Sequence, residues 1–211
     1  MAPFEKDPPV LLGAHLEGPR VRLTGQTSAD AEDCFPLVHR VDAILDMLVW
    51  DGPEDLPSMR AFFADWRVGG GDVGYDYFFV VRLADGRVCG HCGLRFSGWS
   101  RGSGAPRLGN IGYWMGTDFW GQGLMTEAVE LLVWLAFDVL AADGVEASCM
   151  ERNAGSARVL EKAGLVRDHA FVPGAPSAHG HEVCERRYEL LRADYAPRAG
   201  VPVTHTLELE D

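Results

Sequence analysis

Lysine is nearly missing from this 211-residue chain, which carries 2 lysines against 17 arginines. The skew points to a GC-rich bacterial genome and carries no mechanism. Positive charge is scarce altogether: 19 basic residues face 31 acidic ones, for a formal net charge of −12 and a pI near 4.9. That balance argues against a sequence-independent grip on nucleic acid, which needs many Lys and Arg to neutralise phosphates, and favours cationic partners. Long apolar runs are also missing. No segment approaches the roughly 18 apolar residues of a membrane span, and "MAPFEKDPPV" lacks the basic, apolar, small-residue order of a leader, so a cytoplasmic protein without membrane or nucleic-acid partners is expected.

Cysteine is present in odd number, five residues scattered along the chain, unlike a secreted disulfide framework. "CGHC", Cys89 to Cys92, has the spacing of a thiol–disulfide exchange motif, but such a motif works when its first thiol caps a helix. Here "YFFVVRLADGRVCGHCGLRF" reads as two strands about the turn "ADGR", and strand alternation sends Cys89 and Cys92 to opposite faces. Cys149 and Cys184 supply no second CxxC, so no metal is expected.

What the chain does have is apolar residues, 47% of the total, enough to bury one substantial core. "LEGPRVRL" alternates into a first strand. "TSADAEDCFPLVHRVDAILDML" offers Ser28 or Asp30 as a helix cap, and "SMRAFFADWR" sets Met59, Phe62, Phe63 and Trp66 at helical spacing. "VGGGDVG" lacks the lysine and the strand–helix context of a phosphate loop and reads as a flexible loop. After the hairpin and the polar "SGWSRGSGAPRLG" come the strand "NIGYWM", a helix from about Gln122 to Leu140, the strand "GVEASCM", the helix "GSARVLEKAG", and strands near "LVRDHAFV" and "HEVCERRYELL". The order predicts an α/β fold, a mixed sheet with helices on both faces. The expected division is an N-terminal tail over 1–16, one domain over 17–192 and an acidic tail over 193–211, able to be disordered or to add a strand to a partner.

The densest stretch is "GYWMGTDFWGQGLMTEA", where Gly121 and Gly123 stand just ahead of a helix. In a strand–helix–strand unit from Ile111 to Met150 the two strands run parallel, and the helix start leaves about four N–H groups unpaired with roughly half a positive charge. Glycines there let an anion sit against bare amides. Taken alone, an ordinary tight turn explains them equally well.

Together, "GYWMGTDFWGQGLMTEA" and "NAGSARVLEKAGL", with "PRVRL" and "DGRVCGHCGL", resemble the GCN5-related N-acetyltransferase superfamily and, within it, the ribosomal-protein N-terminal acetyltransferases, over roughly Glu17 to Leu191. The resemblance implies a central, mostly antiparallel sheet of six to seven strands with a V-shaped splay between two parallel strands, and acetyl-CoA as co-substrate with no metal. It implies that the backbone of Trp114 and Met115 pairs with the pantetheine arm, and that the amides of Gly121, Gln122, Gly123, Leu124, Met125 and Thr126 hold the pyrophosphate. It also implies that Asn153 bonds the pantetheine and that Ser156 lies near the thiol. Arg158 and Lys162, four apart on one face, meet the CoA phosphates or form a solvated face. Two positions depart from the family's pattern: Asp118 stands where Arg or Gln is common, and Leu160 where a tyrosine acid is common. That leaves Ser156 or water to protonate the thiolate.

An acceptor amine must be neutral. A protein α-amine, with a pKa of about 7.7–8.0, is ~10–20% neutral at pH 7, whereas lysine at about 10.4 needs ~3.4 kcal/mol more help. Glu151 and His91 are the candidate bases, each with a structural alternative, and a water chain serving an α-amine is the simpler route. By family analogy the acceptor groove involves Trp50, Asp51, Glu54, His91 and the loop "GAPSAHGHE", although Trp50 suits a core equally. The expected activity is acetyl transfer to a protein or peptide N-terminus; a small cationic amine, or an acyl-CoA-binding module without turnover, are the alternatives. A homodimer stays open.

Overall fold

Strand β5 (Leu108–Met115) and strand β6 (Gly144–Met150) set the plan of the molecule, because they are parallel neighbours in a sheet whose other strands pair antiparallel. The computed structural model describes residues 11–65, 74–97, 106–173, 184–197, 201 and 204–209. The sheet has nine strands in the order β7-β8-β6-β5-β4-β3-β2-β1-β9, formed by β1 (Leu11–Glu17), β2 (Val21–Gly25), β3 (Gly74–Leu83), β4 (Val88–Ser97), β5, β6, β7 (Val166–Pro173), β8 (Cys184–Leu191) and β9 (Thr204–Leu209).

Nine strands exceed the six to seven expected, for a local reason. "LEGPRVRL" is the end of one strand, a turn and the start of another: Gly18 N–H bonds Val21 O at 2.9 Å and folds β1 back on β2. Strand β9, from the C-terminal segment, pairs with β1 from Glu17↔Thr204 to Leu11↔Leu209, so both segments read as tails contribute strands to this sheet.

Helices cover both faces. The first carries α4 (Leu124–Trp134) and α5 (Ala154–Lys162) over a core of Leu23, Phe79, Leu94, Ile111, Leu131, Leu160 and Tyr188. The second carries α1 (Ala31–Val38), α2 (Asp42–Leu45) and α3 (Leu56–Asp65) over a smaller core of Cys34, Met59, Phe63, Val80 and Trp114. The cap ahead of α1 is Thr27 with Asp30, whose carboxylate accepts from Thr27 N–H at 2.7 Å. The helix expected to run to Leu140 ends as regular α at Trp134 and continues as one π turn, Leu135–Val139, closed by Leu140 N–H on Leu135 O at 2.9 Å. Among the described residues no helix is long and apolar enough to cross a membrane.

The strand reading of "CGHC" holds, but the two thiols share a face. The β3–β4 register shifts between Val81 and Arg82. The extra residue of this bulge reverses the alternation, so Val88 joins the smaller core while Cys89 and Cys92 both join the larger one. Both are free and buried. Burial pushes the Cys89 thiol up to about 12 and raises that of Cys92 as well, the reverse of an activated thiol.

Candidate active site

Strands β5 and β6 pair at Leu108↔Gly144, Gly109↔Val145 and Asn110↔Glu146, and their pairing stops there. Beyond it both strands continue, β5 for five residues and β6 for four, and they diverge into a wedge. The groups that line it follow from the register with β4. Gly116 N–H bonds Cys89 O at 2.9 Å, so the main-chain groups of every second residue back from Gly116, Trp114 first, turn to β4. Those of Tyr113 and Met115 turn to the wedge. Trp120 marks the same direction by donating its indole N–H to Met115 O at 2.7 Å. The backbone facing the wedge is therefore that of Tyr113 and Met115. Trp114, named in the sequence reading, spends its amide on β4 and buries its ring in the smaller core.

The wedge opens toward the start of α4. Gly121 and Gly123 have φ of +74° and +75°, left-handed values that glycine adopts without penalty. A Cβ on Gly121 would meet nothing within 4 Å, so this side of the loop is bare. The first helical bond runs from Glu127 N–H to Gly123 O, which leaves the N–H groups of Leu124, Met125 and Thr126 as the unpaired start of the helix. The side chains of Leu124 and Met125 are buried, so these two residues offer amides only. Gln122 is exposed and ties its amide to Asp118 O at 3.0 Å.

Helix α5 closes the other side. Asn153 caps it by accepting Ser156 N–H at 3.0 Å, so its carboxamide oxygen is already engaged. Ser156 Oγ lies 2.7 Å from the Tyr113 phenol oxygen, which also donates to Ser156 O at 3.3 Å. Burial raises the Tyr113 pKa, and burial likewise raises that of Cys149, whose thiol bonds the same serine. Tyr113 escaped the sequence reading, which looked for a phenol in the short helix and found Leu160. The signal was the strand itself: Tyr113 is two residues from Met115 and so shares its face. Arg158 is exposed on α5.

Neither candidate base is poised for the task. The Glu151 carboxylate lies 2.7 Å from Arg186 and 3.4 Å from Arg167. Arg186 is the chief cause that holds its pKa below the ordinary range. His91 is 6% exposed, stacked among Phe63, Phe78 and Trp114, with Nε2 2.6 Å from Gln26 Oε1. Burial lowers its pKa to about 3. His91 is an aromatic-core residue, and the acceptor contact expected of it has no open face.

The side of the sheet away from α4 and α5 is open around Gly112, which is exposed and where a Cβ would again meet nothing within 4 Å. Two residues back along β5, level with Asn110, Asp76 of β3 pairs with Arg95 of β4 at 2.9 Å, and Glu146 of β6 pairs with Arg187 of β8. Trp50 is half-buried against Phe62, while Asp51 and Glu54 are exposed. Arg152, in the turn after β6, donates to Asp46 O at 2.6 Å and ties the segment preceding Trp50 to the open end of the wedge. The loop over 174–182 and Trp66 lie outside the described residues.

Known proteins resemble this chain in sequence and in fold. The family model for the acetyltransferase (GNAT) domain matches residues 20–166. The probable N-acetyltransferase YjcK of Bacillus subtilis is 39% identical over 92 residues, 44% of this chain and 49% of that protein. The uncharacterized N-acetyltransferase p20 of Bacillus licheniformis is 29% identical over 125 residues, 57% of this chain and 64% of that protein. The chain thus aligns with about half to two-thirds of the length of these relatives. Solved structures share the fold: a GNAT-family acetyltransferase from Bacillus anthracis superposes with a TM-score of 0.68 at 20% identity, covering 84% of this chain and 98% of its own. A protein from Vibrio cholerae, provisionally named a ribosomal-protein-serine acetyltransferase, gives 0.64 at 18%, covering 84% and 97%. The microcin C7 self-immunity acetyltransferase MccE, solved with acetyl-CoA and AMP, gives 0.67 at 15%, covering 82% and 93%.

Proposed function

We propose that this chain, which belongs to the GNAT acetyltransferase domain family, transfers an acetyl group from acetyl-CoA to a primary amine, and that the amine is the α-amino group of a protein or peptide. One observation carries the reading: a wedge between parallel strands leads straight to a helix start bared by two left-handed glycines. The residues present fit the co-substrate. Main-chain groups of Tyr113 and Met115 suit an amide-bearing arm, and the open ground beside Gly121, with the amides from Gly123 to Thr126, suits a pyrophosphate. Acetyl-CoA supplies an activated thioester when bound. The Met115 N–H is aimed to polarise the thioester carbonyl as charge gathers on its oxygen. Ser156, hydrogen-bonded to Tyr113, supplies the proton that the departing thiolate requires.

Among the described residues, neither candidate base favours a strongly basic amine. Glu151 is held as a carboxylate by two arginines and His91 is a weak base in an aromatic core, which supports an acceptor whose amine water alone can deprotonate. An α-amine near pKa 8 meets that condition, and a lysine does not. The carboxylates level with Asn110 are paired with arginines, which favours a peptide over a polycation. The name of the Vibrio cholerae neighbour agrees.

The test is acetyl-CoA consumption across N-terminal peptides, lysine peptides, polyamines and aminoglycosides. Peptides beginning with Ser or Ala should be the best acceptors, with kcat/KM rising to a plateau near the α-amine pKa and Glu151→Gln costing less than about tenfold. Turnover confined to polyamines or aminoglycosides would replace the peptide reading with a small-molecule one, and acetyl-CoA binding without turnover on any amine would make the chain a sensor.

A further inference from the structure

The "WGQG" loop is held by a residue more than a hundred positions earlier. Arg20 stands in the turn between β1 and β2, its side chain 53% exposed. Its guanidinium makes three bonds to the start of α4: Nη1 donates to Gln122 O at 2.8 Å, Nη2 to Gly123 O at 3.1 Å, and Nε to Glu127 Oε2 at 2.9 Å. The other oxygen of Glu127 accepts the backbone N–H groups of Arg20 at 2.6 Å and Val21 at 2.9 Å. Gly18 permits this docking, since a Cβ there would stand 2.6 Å from Glu127 Oε1.

A trans peptide is planar, with its C=O and N–H pointing in opposite directions. The peptide that carries Gln122 O also carries Gly123 N–H, and the one that carries Gly123 O also carries Leu124 N–H. Drawing both oxygens toward Arg20 therefore turns both N–H groups the other way, to the bare side of the loop. Charge works in the same sense. Glu127 is a buried carboxylate in the first turn of the helix that is to receive an anion, and Arg20 neutralises it at contact distance.

We propose that Arg20 is a positioning residue for the co-substrate: it fixes the two peptide planes of the loop so that the Gly123 and Leu124 amides face the pyrophosphate of acetyl-CoA. This rests on the reading of that loop as the pyrophosphate site. Arg20 need not touch the ligand, and its effect is confined to the part of the ligand that bears phosphate.

Wild type, Arg20→Lys and Arg20→Met are titrated calorimetrically with acetyl-CoA and with S-acetylpantetheine, which has the arm and thioester but no pyrophosphate. Both variants should bind acetyl-CoA about tenfold or more weakly, 1.4 kcal/mol at tenfold, with S-acetylpantetheine affinity held within about twofold. Lysine keeps the charge but cannot span two carbonyls and a carboxylate, so an Arg20→Lys protein that binds acetyl-CoA like wild type overturns the latch. An equal loss for both ligands also overturns it, as a general loss of structure. A ligand-free readout stands beside these: the NMR order parameters of the Gly123 and Leu124 amides should fall in Arg20→Met, as the two peptide planes are released. If wild type binds neither ligand, the acetyl-CoA reading falls, and the latch is then judged on the amides alone, unchanged order parameters rejecting it.

Discussion

Tyr113 and Ser156 meet across the open end of the β5–β6 wedge, the phenol oxygen 2.7 Å from Ser156 Oγ. The contact joins β5 directly to the helix that follows β6 at the depth where the two strands no longer pair. Ser156 has its own N–H fixed by Asn153, so the position of its hydroxyl is set from both sides.

Removing either hydroxyl should therefore act on turnover rather than on binding. Ser156→Ala and Tyr113→Phe are expected to lower kcat by about 10²-fold, the low end of what a positioned proton donor contributes, with the KM for acetyl-CoA changed by less than about threefold. Burial raises the Tyr113 pKa, so the phenol stays protonated above its ordinary value near 10. The rate should show no alkaline fall through that value. A matching rise in acetyl-CoA Kd for either variant would relocate the pair from chemistry to binding.

At Gly121 the backbone is left-handed and the space outside it is free. Asparagine tolerates this conformation better than other side chains, so Gly121→Asn should fold with a Tm within a few degrees of wild type, measured by calorimetry. Its carboxamide occupies the ground ascribed to the pyrophosphate, and the acetyl-CoA Kd should rise at least about tenfold. Normal affinity in the folded variant would move the anion site elsewhere.

His91 gives the fold a pH dependence of known sign. Its pKa is about 3 in the folded chain and near 6.5 when unfolded, so below pH 6.5 the unfolded chain takes up a proton that the folded chain refuses. Stability present above pH 6.5 is then lost as the pH falls, by about 1.4 kcal/mol per unit, or ~2 kcal/mol by pH 5. Denaturation by urea across this range should show that slope in wild type and lack it in His91→Phe. The same slope in both proteins would assign it to other groups.

The thiols should be inert. In a Cys184→Ser background, Ellman's reagent is expected to find no quickly reacting thiol in the native protein and four after unfolding, those of Cys34, Cys89, Cys92 and Cys149. With Cys89 near 12, raising the pH to 9 should not change that. The double change Cys89→Ala and Cys92→Ala should leave acetyl transfer within a few-fold. Rapid labelling of Cys89 or Cys92 would show that the β4 core opens.

The alternating apolar pattern and the glycines before α4 made the central hairpin, β5, α4 and β6 legible in the sequence, since each is decided by residues a few positions apart. What escaped was decided by pairing. Which backbone groups face the wedge depends on the register of β5 against β4, so Trp114 and Tyr113 exchange roles on a one-residue question of parity. One bulge opposite Val81 and Arg82 put Cys89 on the same face as Cys92. Glu127 held a usable signal: an acid between Met125 and Ala128, on a buried stretch of helix, requires a partner. That the partner is Arg20, 107 positions away, only the fold could show.

The β1–β9 ribbon bears on the order in which the sheet is built. Its register joins Leu11 to Leu209, almost the whole length of the chain, and Thr204 Oγ1 reaches Glu17 across 187 positions. On a ribosome, β1 can fold back on β2 as soon as both have emerged, but its outer edge must wait until the 187 positions from Glu17 to Thr204 have been made. Closing so long a loop carries an entropic cost that neighbouring hairpins do not face, and β9 brings only one edge of pairing to offset it. The strand at that margin is thus the natural last piece to dock and the first to detach, leaving β5 and β6, five and six places along the sheet, assembled with the wedge between them.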